Sequence, residues 1–381
     1  MQKARVFGGV ALVGAMMALA ASASALTRAE IFTVTVPVDS TAASANAARD
    51  AARLDGERRA FAALLERLTL AKDRGRFPGP SDTTLNQVII GFEVANERRS
   101  TVRYLADYTF HFRPDAVEQM LRDRGVPFAE TSSKPVVVLP VLETGGKPLL
   151  WDDPNPWRDA WTSAKPPQGL VSMRIPLGEV EDVSAIDGAS ADAGDDVRLQ
   201  TISANYDRAD VLVTRATIRA GSGVDVSTTR FVPGSPGGEQ SWVASYTANQ
   251  GESEKDLLTR AVAGTVAQVN DAWKQANMLD YSQMATLTVT VPADNLNSWL
   301  AVRQRLAATT AVRSSQLLSL DRHSARVELR YVGSPEQLRV GLAQNNLSLS
   351  GGDPDWVLQR GSIAPRDTPA PPAPPSPQPN Q

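Results

Sequence analysis

Cysteine is absent from this chain of 381 residues, and histidine occurs only twice. Without thiols the chain has no cysteine nucleophile, no thiolate metal site and no first mature cysteine to carry a lipid. The two histidines, His111 and His323, fall in different predicted domains, so a shared site would require those domains to close on each other. We therefore expect no catalytic residues, no metal site and no cofactor.

Dense basic clusters are also missing, and the formal net charge is -3. A protein that binds nucleic acid needs clustered lysine and arginine to displace counterions from the phosphates, so we expect no nucleic-acid partner. After the first 25 residues, no stretch approaches the ~20 apolar residues of a transmembrane helix. The mature chain is therefore expected to have no transmembrane segment.

The N-terminal residues have the three parts of a secretory signal peptide. Lys3 and Arg5 precede an apolar run over residues 6–21, and Ala23-Ser24-Ala25 offers small residues to a signal peptidase. We predict a signal peptide over residues 1–25, with cleavage between Ala25 and Leu26. If the signal peptide is cleaved, the mature protein is periplasmic or secreted and is not a lipoprotein. The alternative is that residues 1–25 remain as an uncleaved membrane anchor.

Hydrophobic residues make up 42% of the chain and charged residues 21%, which is typical of a folded globular protein. Hydrophobic periodicity predicts a multidomain α+β fold. Residues 26–130 are expected to form a small α+β domain of order βα(α)ββα, and residues 131–280 a mixed α/β middle domain. Residues 281–362 follow the order βαββαβ of a ferredoxin-like domain. A proline-rich tail over residues 363–381 is predicted to be disordered.

The segment Leu150–Trp161 contains three of the seven tryptophans. Its rings and polar groups could form a recognition surface for a protein or a glycan. The competing interpretation is structural, with Trp157 and Trp161 four residues apart on one helical face and Asp153 or Asn155 capping that helix. The candidate binding residues are Trp151, Asp152, Asp153, Asn155, Trp157, Arg158 and Trp161.

The acidic segment Asp182–Asp196 is the natural candidate for a carboxylate metal site. Its order does not match a calcium-binding EF-hand loop, so a flexible acidic loop that ends by capping the next helix is favoured. Gly145-Gly146-Lys147 lacks the upstream glycine of a phosphate-binding loop, and proline follows where serine or threonine should stand.

Several segments together resemble an uncharacterised family of secreted proteobacterial proteins, known only as a domain of unknown function. The likeness covers about residues 30–275 and is most specific in the tryptophan segment Leu150–Trp161. It is carried by residues 34–38, the helix ending at Arg67-Leu68-Thr69, and residues 104–117, 136–140 and 150–161. Residues 136–142 and 209–218 are also faintly similar to envelope proteins of the penicillin-binding-protein activator and curli-secretion kind. Neither resemblance implies catalytic residues.

These observations favour an exported interaction or scaffold protein, without enzymatic activity, that contacts an envelope protein during cell-envelope assembly or maintenance. The alternative is a hydrolase that uses paired carboxylates, or a protein that binds or processes envelope glycans. An exposed apolar patch near Trp151 would favour the binding protein, whereas two carboxylates in a cleft would favour the hydrolase.

Overall fold

The computed structural model describes residues 25–77, 79–164, 168–219, 221–232, 239–278, 284–293 and 295–361. The predicted signal peptide, apart from Ala25, and the predicted tail lie outside these residues. Within them the chain forms three sheets with helices packed around them, which confirms the multidomain α+β class. In this part of the chain, no helix is both long and apolar enough to span a bilayer.

The N-terminal sheet has three antiparallel strands in the order β1-β3-β2. Its strands are β1 (Thr33–Thr41), β2 (Ile89–Arg99) and β3 (Arg103–Phe112), and its helices are α1 (Arg28–Ile31), α2 (Ala45–Leu68), α3 (Asp82–Val88) and α4 (Pro114–Asp123). A 3₁₀ turn at Ala71–Arg76 follows α2. Alternation along β3 places Tyr104, Tyr108 and Phe110 on the buried face against α2, as the sequence predicts.

The middle sheet is mixed and has the strand order β5-β4-β7-β8-β9, with β6 paired to β4. Its strands are β4 (Val136–Thr144), β5 (Lys147–Leu149), β6 (Met173–Arg174), β7 (Val211–Arg219), β8 (Gly223–Phe231) and β9 (Gln240–Thr247). The helices are α5 (Pro156–Ser163), α6 (Val180–Ala185), α7 (Gly188–Ala193), α8 (Asp196–Asn205) and α9 (Glu254–Asn277). Strand β4 is parallel to β7 and is buried on both faces, as its continuous apolar run predicts.

The predicted acidic loop is partly helical. Residues 182–196 include the end of α6 and all of α7, and Asp187 caps α7 by accepting a hydrogen bond from Ser190 N. Asp195 accepts hydrogen bonds from Val197 N and Arg198 N, so it caps α8 as predicted. Short helices with capped ends can form here because each cap satisfies backbone donors at the first turn.

The C-terminal sheet has five strands in the order β11-β12-β10-β14-β13. The elements are β10 (Met284–Pro292), α10 (Leu296–Ala308), β11 (Val312–Leu320), β12 (Ser324–Val332), α11 (Pro335–Gln344), β13 (Leu347–Gly352) and β14 (Asp355–Arg360). The first six follow the predicted βαββαβ order. Strand β14 is an addition that inserts between β10 and β13 and runs parallel to β10.

The N-terminal and C-terminal units share one topology. In both, the first strand pairs antiparallel with the third, which pairs antiparallel with the second at the sheet edge. The helix after the third strand begins at a proline in each unit, Pro114 in α4 and Pro335 in α11. The N-terminal unit is therefore the βαββα part of a ferredoxin-like unit, without the final strand.

Buried cations join the N-terminal and middle units. Arg67, at the end of α2, donates to the carbonyl oxygens of Ile31, Thr33 and Gln168. Lys274, on α9, donates to Thr69 O at 2.8 Å and to Glu66 O at 2.9 Å. Trp273 Nε1 donates to Thr131 O at 2.6 Å, and the Trp273 ring packs against the cores of both units.

Arg313 links the C-terminal unit to the N-terminal unit. It lies on β11 and forms ion pairs with Glu118 of α4 at 3.6 Å and with Glu130 at 3.5 Å. Arg28 also pairs with both carboxylates, which are buried. Gln344 Oε1 accepts a hydrogen bond from Lys134 N, so the end of α11 contacts the segment just before β4.

Candidate functional site

The tryptophan segment wraps around the start of α5. Asn155, fully buried, caps this helix by accepting a hydrogen bond from Arg158 N at 2.9 Å. The amide nitrogen of Asn155 also donates to the carbonyl oxygens of Leu149 and Leu150, at 3.3 Å each. Asn155 thus satisfies backbone groups on both sides of the cap, and its side chain has no surface to offer a ligand.

Trp157 and Trp161 are core residues. Their exposed fractions are 0% and 2%, and the rings meet edge to face with centroids 5.9 Å apart. Trp157 Nε1 donates to Thr214 O of β7 at 2.8 Å, which pins α5 to the sheet. The predicted surface of three tryptophans is therefore wrong at these two positions, because a helix on a sheet buries the residues four apart on one face.

Trp151 occupies a different position, at the surface end of the segment. Its side chain is half-buried, and Nε1 donates to Ile186 O, just after α6, at 2.7 Å. The ring lies against Gly178, where the first carbon of any side chain would approach it to 3.1 Å. Gly178 also has φ +76°, a backbone conformation that strains any other residue, so both observations favour glycine here. Trp151 therefore lies beneath the segment that leads into α6.

Apolar side chains stand exposed on that same segment. Leu177 is 80% exposed, Val180 77% and Val183 49%, and the three recur at intervals of three residues where α6 begins. Leu177 and Val180 flank the glycine that touches the Trp151 ring. We call Trp151, Leu177, Val180 and Val183 the Trp151 patch. Contiguous exposed apolar groups with polar surroundings mark interaction sites on soluble proteins.

The backbone under the patch is held in place by polar contacts. Asp182, which is buried, accepts hydrogen bonds from Gly178 N at 3.2 Å and from Tyr206 Oη at 2.9 Å. Burial and the hydrogen bond to Asp182 raise the pKa of Tyr206, so its hydroxyl remains a donor. Arg198 and Asn205 of α8 donate to carbonyl oxygens of α6. The apolar side chains therefore project from a fixed segment.

Acidic groups surround the Trp151 patch. Asp152, Glu179 and Glu181 are exposed, and none of them has an ion-pair partner among the described residues. Asp153 pairs with Arg158, whose Nη1 also donates to Trp151 O at 2.6 Å. The stretch from Glu179 to Asp196 contains seven carboxylates and no lysine or arginine. The surface therefore combines apolar side chains with three exposed carboxylates that have no ion-pair partner in the described ranges.

A cleft of about 500 Å³ lies on the other side of α5, between its outer face and the start of α9. Asp159 and Glu254 both line it, together with Ser163 and Lys255. Both carboxylates are exposed, so they lack the desolvated setting in which a hydrolase holds one carboxylic acid protonated. The cleft therefore contains the two carboxylates that a hydrolase would need, but not the buried surroundings that would keep one of them protonated.

His111 lies in a chain of polar contacts on the outer face of the N-terminal sheet. Its Nδ1 is 3.1 Å from Thr33 Oγ1, and its Nε2 is 3.2 Å from Glu93 Oε1. Thr33 Oγ1 donates its one proton to Ala29 O at 2.8 Å, so it must accept a hydrogen bond from His111. In a nucleophile activated by a histidine base, the hydroxyl donates its proton to the histidine, which is the opposite direction.

Metal ligands do not converge in the part of the chain that the structure describes, since no group of three histidine, aspartate or glutamate side chains there could hold an ion.

Comparison with known proteins gives no match to a family model, a curated protein or a solved structure. The geometry and the sequence alone therefore carry the functional argument.

Sequence reasoning identified Trp151 and its acidic neighbours but missed Leu177, Val180 and Val183. The available signal was the run Leu177-Gly-Glu-Val-Glu-Asp-Val183, in which apolar residues spaced by three alternate with carboxylates. Periodicity alone assigns such a spacing to a buried helical face, and only the exposed fractions show that no described residue covers this face.

Proposed function

We propose that this chain is an exported, non-enzymatic protein-binding component of the cell envelope, which docks a basic apolar segment of a partner on the Trp151 patch. The observation that carries the proposal is the near-complete exposure of Leu177 and Val180 beside the half-buried Trp151 ring. Leaving such side chains in water forgoes about 1.5–3 kcal/mol for each one that a partner could bury fully. A partner that covers them gains this contribution.

The acidic surroundings favour a basic partner. Asp152, Glu179 and Glu181 would be brought near the edge of any bound segment, where lysine or arginine side chains would pair with them. Such pairs speed association and exclude acidic competitors more than they add affinity. An envelope location is supported by the predicted signal peptide over residues 1–25.

The test uses the mature chain and two synthetic helical peptides, one of leucine and lysine and one of leucine and glutamate. We expect the leucine–lysine peptide to bind, to weaken as salt is raised, and to shift the backbone NMR signals of residues 177–183. The leucine–glutamate peptide should not bind. Equal binding of both peptides, or shifts confined to other surfaces, would contradict the proposal.

A double variant separates apolar docking from simple charge attraction. Leu177→Ser with Val180→Ser keeps every carboxylate, and we expect it to weaken the leucine–lysine peptide at least tenfold. Val243→Ser is the matched control, because Val243 is 73% exposed on β9 and lies outside the patch. It should bind like the unmodified chain. If both variants bind alike, the attraction is only electrostatic and the docking proposal fails.

A further inference from the structure

A second exposed apolar surface lies in the C-terminal unit. It consists of leucines on α10 and β11, which we call the leucine patch: Leu296, Leu300, Leu317, Leu318 and Leu320, with exposed fractions of 62%, 45%, 43%, 49% and 52%. Strand β11 is an edge of the five-stranded sheet, with no further strand beside it among the described residues. Five leucines in water at a sheet edge are unfavourable for a protein that stays monomeric.

A bulge brings two of these leucines to one face of the sheet. Leu317 pairs with Val327 and Leu320 with Ala325, and a register shift between Leu317 and Ser319 accommodates Leu318. Val327 and Ala325 are fully buried under the helices. Because cross-strand partners share a face, Leu317 and Leu320 belong to the covered face of the sheet, yet about half of each side chain is exposed.

Helix geometry places Leu296 and Leu300 next to this open face. The two are one turn apart on α10, which contacts β11 and leads into it through residues 309–311. The 13 residues of α10 span about 20 Å, the length of roughly six strand residues, so the start of α10 lies beside the end of β11. Leu296, Leu300, Leu317 and Leu320 therefore form one surface, with Leu318 in the bulge at its edge.

Basic side chains surround the leucine patch. Arg303 lies one turn beyond Leu300 on α10, and Arg322 lies in the turn after Leu320, next to Asp321. Both arginines are exposed, and neither has an ion-pair partner in the described ranges. The leucine patch thus has the charge opposite to that of the Trp151 patch.

We infer that the partner of the Trp151 patch is the leucine patch of a second copy of this chain. The inference rests on the proposed function and names its partner. Each surface has what the other lacks: exposed leucines with unpaired arginines on one, and exposed Leu177 and Val180 with unpaired carboxylates on the other. Both surfaces are exposed within one copy, so no part of the chain that the structure describes covers them.

Contact between two different surfaces is head-to-tail. Each copy then has one free surface of each kind, so assembly continues into a ring or an open chain of copies instead of stopping at a symmetric dimer. This distinguishes the inference from pairing of two leucine patches, which would bring like charges together and close at two copies.

The test measures the mass of the mature chain against concentration by sedimentation. The unmodified chain should grow beyond a dimer as concentration rises, and added salt should reverse this growth. Variant A carries Leu177→Ser and Val180→Ser, and variant B carries Leu317→Ser and Leu320→Ser. Each should be monomeric alone, while an equal mixture should give dimers and nothing larger, because each variant retains the surface that the other has lost.

A charge exchange provides a second route that leaves every apolar side chain intact. Arg303→Glu with Arg322→Glu should give monomers, as should Glu179→Arg with Glu181→Arg. Mixing these two variants should restore growth beyond a dimer, since each surface of one variant then meets a surface of opposite charge on the other. All four positions are exposed, and the Val243→Ser control should assemble like the unmodified chain.

Three results would overturn the inference. They are a chain that stays monomeric at every concentration, a variant A that still forms dimers, or a mixture of A and B that stays monomeric. The first and third leave the peptide experiment unaffected, so binding of the leucine–lysine peptide with no self-association would show that the Trp151 patch serves a different basic partner. If the chain neither self-associates nor binds the leucine–lysine peptide, the proposed function is wrong as well.

Discussion

Replacement of Arg67 by methionine tests whether a buried guanidinium holds two units of this protein together. Arg67 is 4% exposed and has no carboxylate partner among the described residues. Its donors instead reach four carbonyl oxygens, those of Glu30, Ile31 and Thr33 in the N-terminal unit and that of Gln168 in the middle unit. Arg67→Met retains most of the volume and removes every donor.

The expected magnitude follows from two opposing effects. Each carbonyl left without a donor costs about 1–3 kcal/mol, and four are affected. Removing the charge recovers part of this, because burial lowers the pKa of Arg67 from 12.5 to about 10, which corresponds to roughly 3 kcal/mol of lost solvation. The net loss in the free energy of unfolding should be about 5 kcal/mol, taking about 2 kcal/mol for each carbonyl and subtracting the recovered solvation.

Urea unfolding followed by far-ultraviolet circular dichroism measures this loss, with Arg58→Met as the matched control. Arg58 lies on the same helix, is exposed, and pairs with Asp82 at 2.8 Å, so its removal should change stability by less than about 1 kcal/mol. If Arg67→Met and Arg58→Met unfold at the same urea concentration, water reaches the four carbonyl groups and the reasoning is refuted.

Three further predictions concern other polar contacts. Burial lowers the pKa of Lys274 below 10.5, so the unfolded chain binds more protons just below pH 10.5 and stability should rise with pH there; Lys274→Met should remove that rise in urea titrations. Hydrogen bonds from Arg260 lower the pKa of Glu252 to about 2, so Glu252→Gln should destabilise the chain above pH 4.5 and the difference should vanish as pH falls towards 2; a constant difference would contradict this. Asn155→Ala should lower the free energy of unfolding by about 2 kcal/mol because it removes a buried cap, whereas Asn249→Ala, at an exposed position, should change it by under 1 kcal/mol.

The order of the elements was largely predictable from the sequence because strong local signals mark them. Alternation along β3, the proline that begins α4 and the amphipathic faces of α2 and α9 each depend on residues close together in the chain. The capping role of Asn155 and the helical packing of Trp157 and Trp161 were foreseen as one of two interpretations for the same reason.

Features that depend on distant residues could not be predicted. Nothing in the spacing of Leu177 and Val180 shows that no element covers them, and the bulge that turns Leu317 and Leu320 to one face depends on the register with β12. Strand β14 inserts between two earlier strands, which requires pairing across the whole unit. The shared topology of the terminal units was also hidden, since it is a property of strand pairing.

The segment that connects the N-terminal and middle units limits how these units can be recombined. Residues 128–133, which run from α4 towards β4, are all buried, and they are joined to α2 through Ala129 and to the middle unit through Ser133. Fusing this N-terminal unit to an unrelated domain would expose this segment and leave its polar groups without their hydrogen-bond partners. We therefore expect a chimera joined at this border to be less stable than the intact chain, so the border is a poor point for recombining these units.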